Sequence, residues 1–229
     1  MFKLSIVIPV YNEEKTILEI LKRVEAVKLP DLEKEIIIID DGSRDGSREI
    51  LKSLEQKYKI LYHANNQGKG AALRTGFQQA KGDFLIIQDA DLEYNPQEYH
   101  QLLEPIIQNK ADIVYGSRNL KDNPRFKKSY YWGVRLISWL TNVLYGSNLT
   151  DVYTCYKVFK TPLLQDLELK SKGFEFEQEV TIKALKKKYR ILEMPINYIP
   201  RSVKEGKKIN WFDGVKAILT IVKYKHDKK

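Results

Sequence analysis

The sequence predicts an α/β fold with a mostly parallel sheet and helices on both of its faces. Short apolar runs alternate with segments whose apolar residues recur at helical spacing. The second run contains IIIID and is rich in β-branched residues, which favour strands. Strand, helix and strand repeated in this order imply right-handed crossovers, and therefore parallel neighbouring strands.

The first 119 residues contain five predicted strands, which read KLSIVIPV, EKEIIIIDD, KILYHAN, DFLIIQDAD and ADIVYGSR. The helices predicted between them are EEKTILEILKRVEAV, RDGSREILKSLEQKY, the segment from Gly68 to Ala80, and QEYHQLLEPIIQN. This part of the chain therefore supplies most of the predicted parallel sheet.

From residue 120 the regular alternation of strand and helix patterns ends. The segment KDNPRFKKSYYWG is basic and aromatic without clear periodicity, which predicts a mobile loop. After it we predict a helix in VRLISWLTNVLYG, a strand in CYKVFK, a helix in EFEQEVTIKALKKK, a strand in YRILEMPINYI and a closing helix in NWFDGVKAILTIVKYK. We expect one domain over residues 1–229, in which residues 120–229 complete the site begun by residues 1–119.

The composition limits the classes of partner. Of the 229 residues, 43% are hydrophobic, which is enough for one well-packed core. The formal net charge of +9 favours anionic partners: nucleic acid, nucleotide phosphates or an acidic membrane surface. The single cysteine, Cys155, excludes an internal disulfide framework and fits a reducing compartment. Neither a signal peptide nor an apolar stretch of about 20 residues is visible, so we expect a soluble or peripheral protein.

Polar residues follow four of the predicted strands, in the segments PVYNE, DDGS, DAD and GSR. Ligands of open α/β sheets bind outside the carboxyl ends of the strands. Asp89 and Asp91 would project to the same side of an extended chain. Facing carboxylates repel unless a cation lies between them, and Mg²⁺ or Mn²⁺ suits such a site because substrate phosphates complete its ligand shell. Lys69, Arg74 and Arg118 are basic residues available for the same phosphates.

Two other phosphate-binding motifs are excluded. The segment after the first strand reads PVYNEE and lacks the glycines of a dinucleotide-binding fold. NNQGKGAALRTG lacks the upstream glycine and the Ser or Thr after lysine that a P-loop requires. We expect its glycines to open a helix whose N-terminus and Lys69 face an anion.

Five segments resemble, in order and spacing, the family 2 inverting glycosyltransferases of the GT-A fold: IVIPVYNEE, IIIIDDGSRDGS, NNQGKGAALRTGF, DADLEYNPQE and YGSR. Later segments are similar to the dolichol- or polyprenol-phosphate mannosyltransferases and their bacterial relatives: GSNLTDVYTCYKVFK, GFEFEQEVTIKALKKKYRILEMPINYIPRS and EGKKINWFDG. The resemblance implies a metal-dependent enzyme that moves a hexose from a nucleotide sugar, of the GDP-mannose or UDP-glucose type, to a polyprenyl or dolichyl phosphate.

The resemblance also implies a nucleotide-sugar site and a metal. Together with the anion-facing Lys69, the residues expected at the nucleotide sugar are Pro9, Tyr11, Glu13, Asp40, Asp41, Asp89, Ala90, Asp91 and Lys207. The expected ligands of Mg²⁺ or Mn²⁺ are Asp89, Asp91 and Glu93. Of the three, Asp91 is the ligand that the resemblance implies most strongly. At the position of Glu93 the family often has glutamine. Arg201 with Lys207 or Lys208 would close over the diphosphate.

For the acceptor phosphate, the resemblance implies Arg118, aided by Arg135 and Ser138 of the following helix, although the family tends to have a basic residue at Val134. The expected catalytic residues are Asp91, Arg118 and Arg201. A lipid monophosphate is already anionic, so it needs orientation more than deprotonation. One displacement from the face opposite the leaving group would invert the anomeric carbon.

The closing helix suggests a membrane contact. It starts with Trp211 and Phe212 and continues with basic residues, a pattern that suits the membrane interface. We expect a cytoplasmic protein, peripheral at the cytoplasmic membrane face, with a nucleotide sugar and a polyprenyl phosphate as partners and no nucleic acid. A packed surface helix explains the same pattern.

Three alternatives stay open at this point. A family 2 transferase with a glycan or another non-lipid acceptor needs a carboxylate base, for which Asp151 or Glu177 is the candidate. A sugar-phosphate nucleotidyltransferase shares the layering and the metal, but usually has a glycine-rich basic segment where this chain has PVYNEE. A binding module could use the positive charge, although its acidic clusters would repel phosphate without a metal. The residues with a purely structural alternative, as helix-terminal, turn or solvated positions, are Glu13, Asp41, Arg135, Glu177 and Glu179.

Overall fold

The computed structural model describes residues 1–124, 128–202, 208 and 211–226. Its strands are β1 (Phe2–Val10), β2 (Leu32–Asp40), β3 (Lys59–Tyr62), β4 (Phe84–Ile87), β5 (Ile113–Ser117), β6 (Lys157–Lys160) and β7 (Ile191–Pro195). They form one seven-stranded sheet in the order β3-β2-β1-β4-β6-β5-β7. Among these described strands only β6 runs antiparallel to its neighbours, so the predicted α/β fold with a mostly parallel sheet is confirmed.

The register of the central strands sets the place of the site. β1 pairs with β2 along its whole length, from Phe2 opposite Leu32 to Val10 opposite Asp40. On its other side β1 pairs with β4, where Val7 lies opposite Ile87. All three strands are parallel, so the polar segments that follow them begin at the same edge of the sheet.

The helices are α1 (Ile17–Ala26), α2 (Ser47–Lys52), α3 (Lys69–Phe77), α4 (Tyr99–Ile107), α5 (Lys128–Tyr145), α6 (Thr161–Asp166), α7 (Phe176–Lys186) and α8 (Trp211–His226). Short 3₁₀ turns span Pro96–Glu98 and Arg118–Leu120. The buried residues of α1 show the i, i+3, i+4, i+7 spacing of a helix packed on a core: Ile17, Ile20, Leu21 and Val24.

Two elements differ from the prediction. α5 begins at Lys128, inside the segment predicted as a loop, whose residues 125–127 lie outside the described part of the chain. The missing apolar periodicity has a physical reason: residues such as Trp132, which is 65% exposed, do not face the core. The short α6 was not predicted. It starts on Thr161–Pro162, where proline suits the first turn of a helix.

Glu179 of α7 joins three segments of the second half of the chain. Its carboxylate accepts hydrogen bonds from the N–H groups of Lys170 and Ser171 at 2.6–3.0 Å, and from the hydroxyl of Tyr224 at 2.6 Å. Lys183 forms an ion pair with it at 2.8 Å. The side chain is fully buried, so the idea that Glu179 lies on a solvated helix face is wrong.

These bonds give a pH-dependent stability. Burial alone would raise the pKa of Glu179, but the hydrogen bonds from Lys183, Tyr224 and Ser171 lower it to about 2. The contribution of the ionised Glu179 to the free energy of unfolding is therefore complete above the unfolded-state pKa of about 4.3, and it is lost as the pH falls towards 2. We expect Glu179→Gln to lower the free energy of unfolding by about 3 kcal/mol at pH 6, and by about half as much at pH 3.

Urea denaturation at both pH values measures this difference. The exposed Glu49 of α2 provides the control, because Glu49→Gln should leave the free energy of unfolding unchanged within about 0.5 kcal/mol. An equal loss of stability for Glu179→Gln at pH 6 and pH 3 would contradict the ionic role of this carboxylate.

Candidate active site

The carboxyl ends of the parallel strands open into one cavity of about 420 Å³. The predicted site residues that line it are Pro9, Tyr11, Glu13, Asp41, Lys69, Asp89, Ala90, Asp91, Glu93, Arg118, Arg201 and Lys208. These residues come from distant parts of the chain, and the sheet edge brings them together. The cavity therefore has the position expected of a ligand site in an open α/β sheet.

The centre of the cavity is acidic. Asp89 and Asp91 follow β4, and Glu93 comes two residues later. Burial would raise the pKa of Asp89, but Nζ of Lys69, which lies 2.9 Å from its Oδ1, holds the pKa below its usual range. Burial together with the negative charges of Asp89 and Glu93 raises the pKa of Asp91 to about 7. The negative charge of Asp91 is thus poorly compensated by its surroundings.

Arg201 connects the acidic centre with the turn after β1. Its Nη1 and Nη2 donate to Glu13 at 2.9 and 3.1 Å, and Nη2 also donates to Oδ2 of Asp91 at 3.1 Å. The backbone N–H of Arg201 donates to Oε1 of Glu93 at 2.6 Å. Lys208 forms a second ion pair with Glu13. Glu13 is therefore bound by cations of the cavity, while α1 begins only at residue 17.

The carboxylate of Asp41 organises the turn before α3. It accepts hydrogen bonds from the N–H groups of Gln67 at 2.9 Å and Gly68 at 2.8 Å. Nδ1 of His63 lies 2.7 Å from the same carboxylate, and Nε2 lies 3.0 Å from the hydroxyl of Thr75. Gly68 has a φ of +97°, and a Cβ there would lie 2.5 Å from a backbone carbonyl oxygen. Asp41 and this glycine together shape the wall of the cavity at the start of α3.

Arg118, directly after β5, is fixed by a buried carboxylate. Its Nε and Nη2 donate to Asp151 at 2.7 and 2.8 Å, and its backbone N–H donates to the same group at 3.1 Å. The ring of Tyr198 lies 5.0 Å from the guanidinium carbon. The hydroxyl of Tyr198 donates to Oε2 of Glu93 at 2.7 Å, so one tyrosine contacts both the arginine and the acidic centre.

Asp40 and Arg74 do not line the cavity. Asp40 is fully buried, and its Oδ2 accepts from Nε of Arg48 at 2.6 Å. Consecutive residues of an extended chain point in opposite directions, so only one of the two aspartates in DDGS, Asp41, reaches the cavity. Arg74 donates instead to the backbone carbonyl of Lys170 at 2.8 Å.

The residues expected to aid Arg118 also lie elsewhere. Arg135 is exposed on α5, where its Nη1 donates to the hydroxyl of Tyr131 at 3.3 Å. Ser138 is buried and accepts a hydrogen bond from the N–H of Val152 at 3.3 Å. Lys207 lies outside the described residues, as does the side chain of Trp211.

Both candidate bases are held by cations. Burial would raise the pKa of Asp151, but Arg118 holds it below its usual range, and Asp151 does not line the cavity. Glu177 does line the cavity, but its Oε2 accepts from Lys157 and its Oε1 lies 3.4 Å from Nζ of Lys69. Since Glu177 is only 2% exposed, the idea of a solvated helix face is wrong for it too. Each of these two carboxylates thus already has a cationic partner.

The carboxylates fit a divalent metal that is shared with a diphosphate. Across the described ranges of the chain, no group of three or more His, Cys, Asp or Glu residues is arranged to hold a metal by itself. Mg²⁺ commonly takes only one or two protein carboxylates and completes its shell with phosphates and water. Asp91 and Asp89 can supply these carboxylates. A bound cation would offset the negative charge that raises the pKa of Asp91. Both oxygens of Glu93 already accept hydrogen bonds, from Tyr198 and Arg201.

Comparison with known proteins decides the family. The family model described as Glycosyl transferase family 2 matches residues 5–168, which is more than half of the chain. The chain belongs to this family. The predicted resemblance and the predicted enzyme class, a glycosyltransferase, are therefore confirmed.

Two relatives of this glycosyltransferase are 29% identical to it. Dolichol-phosphate mannosyltransferase of Pyrococcus furiosus aligns over 212 residues, which cover 90% of this chain but only 59% of that protein. The chain thus spans less than two thirds of that relative. The uncharacterized protein MJ1222 of Methanocaldococcus jannaschii aligns over 233 residues, covering 97% of this chain and 92% of its own length.

Solved structures of two synthases share the fold. Mannosyl-3-phosphoglycerate synthase from Rubrobacter xylanophilus matches 99% of this chain and 75% of its own, with a TM-score of 0.78 and 17% identity. Glucosyl-3-phosphoglycerate synthase from Mycobacterium tuberculosis, in complex with Mn²⁺, UDP and phosphoglyceric acid, matches 100% of this chain and 80% of its own, with a TM-score of 0.75 and 17% identity. The glycosyltransferase therefore has the GT-A fold.

Some residues that line the cavity were missed at the sequence level: Asn119, Lys121, Asn123, Tyr131, Tyr153, Phe174 and Tyr198. The nearest signal is the position of Tyr198, three residues before Arg201. A tyrosine after an apolar strand is ordinary packing chemistry, so only the fold shows that this one reaches the site.

Proposed function

We propose that the enzyme transfers a hexose from a nucleoside-diphosphate sugar to a polyprenyl phosphate, with Mg²⁺ or Mn²⁺ as cofactor. One observation carries this proposal: a single cavity holds the acidic centre around Asp91 together with Arg118 and Arg201. Carboxylates suit a metal-bound diphosphate, and arginine suits an anionic acceptor. A relative named dolichol-phosphate mannosyltransferase and a similar fold solved with Mn²⁺ and UDP support it.

The arrangement accounts for the steps of the reaction. The leaving diphosphate gains negative charge, which a divalent cation held by Asp91 and Asp89 would stabilise as a Lewis acid. Arg201, within 3.1 Å of Asp91, adds a fixed positive charge beside the same group. Arg118, oriented by Asp151, positions the acceptor phosphate, whose own oxygen attacks the anomeric carbon. Attack from the face opposite the diphosphate inverts that carbon and requires no protein base.

The surface beside the cavity suits a lipid tail. Tyr131 and Val134 of α5 line the cavity. The outer side of α5 exposes an apolar stripe formed by Trp132, Leu136, Trp139 and Val143. On α8, which packs on α5, a second exposed apolar stripe is formed by Phe212, Val215, Leu219 and Val222. None of the helices that the structure describes is long and apolar enough to cross a bilayer.

We infer that these two stripes contact the membrane at the interface. Leu219 is 62% exposed, and burying a leucine contributes about 1.5–3 kcal/mol. We therefore expect Leu219→Ser to weaken binding to phosphatidylglycerol vesicles by about tenfold in a sedimentation assay.

The matched control is Leu18 of α1, which is 55% exposed but lies on neither stripe. Leu18→Ser should leave vesicle binding unchanged. The membrane contact would be ruled out by a wild-type protein that does not sediment with vesicles, or by equal losses in the two variants.

The proposed reaction is tested with radiolabelled UDP- and GDP-hexoses, Mn²⁺ and either a polyprenyl phosphate or 3-phosphoglycerate as acceptor. We expect one donor to give label that is extractable into organic solvent, and only in the presence of the lipid phosphate and Mn²⁺. Label transferred only to 3-phosphoglycerate would contradict the lipid acceptor while leaving the glycosyltransferase assignment intact.

A further inference from the structure

The cations that line the cavity differ in whether a carboxylate already neutralises them. The paired ones are Lys69 with Asp89, Arg201 and Lys208 with Glu13, and Arg118 with Asp151. Lys121, on the loop after β5, also lines the cavity but forms no ion pair with any residue that the structure describes. Among the described residues it is thus the one cavity cation without an ion pair, and its charge acts only at longer range on Glu98, where it opposes the burial that raises the pKa of that carboxyl.

The loop that carries Lys121 is held in place on both sides of it. Nδ2 of Asn119 donates to the backbone carbonyl of Thr150 at 2.7 Å. Nδ2 of Asn123 donates to the carbonyl of Arg118 at 2.8 Å. Between these anchors the side chain of Lys121 is exposed. The backbone is therefore fixed beside Arg118, while the ammonium group can reach a ligand in the cavity.

An acceptor phosphate needs more positive charge than Arg118 provides. A phosphate monoester carries a charge of about −1.5 to −2 near neutral pH. The charge of Arg118 is balanced by the buried Asp151. Glu93 adds a further carboxylate next to Tyr198, which stacks on the guanidinium. A phosphate at Arg118 would therefore meet almost no net positive charge without a second cation.

We propose that Lys121 supplies this charge and gives the enzyme its preference for acceptors that end in a phosphate monoester. The inference rests on the proposed function and names the contact that selects its acceptor class. An alcohol or a neutral glycan gains nothing from an unpaired ammonium, whereas a phosphate ester does. The ester can belong to a lipid or to a small soluble molecule, because the lysine recognises only the phosphate.

Calorimetric titration of the full chain, with GDP or UDP and Mn²⁺ present, tests the proposal. The ligands are citronellyl phosphate, its alcohol citronellol, and 3-phosphoglycerate. We expect Lys121→Gln to weaken the binding of citronellyl phosphate about tenfold and to leave the binding of citronellol unchanged. Lys121→Arg should retain most of the affinity for citronellyl phosphate. Raising the salt concentration should weaken the binding of citronellyl phosphate more in the wild type than in Lys121→Gln.

Lys110 provides the matched control, because it is an exposed lysine that precedes the same strand, β5, at the opposite edge of the sheet. Lys110→Gln should bind all three ligands as the wild type does. Equal binding of citronellyl phosphate by the wild type and Lys121→Gln would overturn the role of Lys121 and leave the lipid acceptor intact.

The soluble ester separates the two proposals further. Lysine-dependent binding of 3-phosphoglycerate without binding of citronellyl phosphate would uphold Lys121 and overturn the lipid acceptor. If the wild type bound neither ester, both the role of Lys121 and the lipid phosphate acceptor would be wrong.

Discussion

Asp91→Asn is expected to lower the rate of sugar transfer by about 10³-fold and to abolish its dependence on Mn²⁺. The variant keeps the size of the side chain but removes the negative charge that would hold the metal at the leaving diphosphate. Such a cation stabilises the transition state by several kcal/mol, and about 4 kcal/mol corresponds to a factor of about 10³. The measurement is the initial rate of label transfer with and without Mn²⁺.

The fold should survive this change. Burial and the charges of Asp89 and Glu93 disfavour the ionised form of Asp91, so asparagine relieves repulsion rather than removing a stabilising charge. We expect a melting temperature no lower than that of the wild type. Asp31→Asn, at an exposed aspartate at the other end of β2, is the control and should keep full activity. Activity of Asp91→Asn within tenfold of the wild type, still stimulated by Mn²⁺, would contradict the role of Asp91.

Arg118→Gln is expected to affect both stability and transfer. It leaves the fully buried carboxylate of Asp151 without its cation. Removing one partner of a buried ion pair costs about 3–5 kcal/mol. For a chain of this size that corresponds to a fall of about 6–20 °C in melting temperature. Transfer should fall as well, because the acceptor phosphate loses the group that orients it.

A second variant separates these two effects. In Arg118→Gln with Asp151→Asn, the buried site no longer contains a charge, so we expect most of the melting temperature to return. Transfer should stay low, since the guanidinium is still missing. Recovery of activity together with stability would show that Arg118 acts only on the fold and would remove it from the acceptor site.

The sheet was predictable because its signals are local. Each parallel strand is a short apolar run, and the residues after it are polar. The antiparallel direction of β6 was not predictable in the same way, because the pattern of CYKVFK does not encode the direction of its neighbours. The start of α5 was also missed, since its apolar residues face outward and give no buried stripe.

The candidate site shows the same limit. DDGS identifies two aspartates, but only the geometry of the strand end shows that Asp41 reaches the cavity and Asp40 pairs with Arg48. Similarly, the partner of His63 follows another strand, so no spacing along the chain connects it with Asp41. Lys121 belongs to no recognisable sequence motif. Its proposed role follows only from the structure, which shows that carboxylates already neutralise the other cations of the cavity.

The role of Asp91 as a metal ligand is tested by a crystal structure with Mn²⁺ and GDP or UDP, in which anomalous scattering locates the metal. We expect a manganese ion in direct contact with the carboxylate of Asp91 and with the diphosphate, inside the cavity that also holds Arg201. A nucleotide bound elsewhere, or a metal with no contact to Asp89 or Asp91, would contradict it.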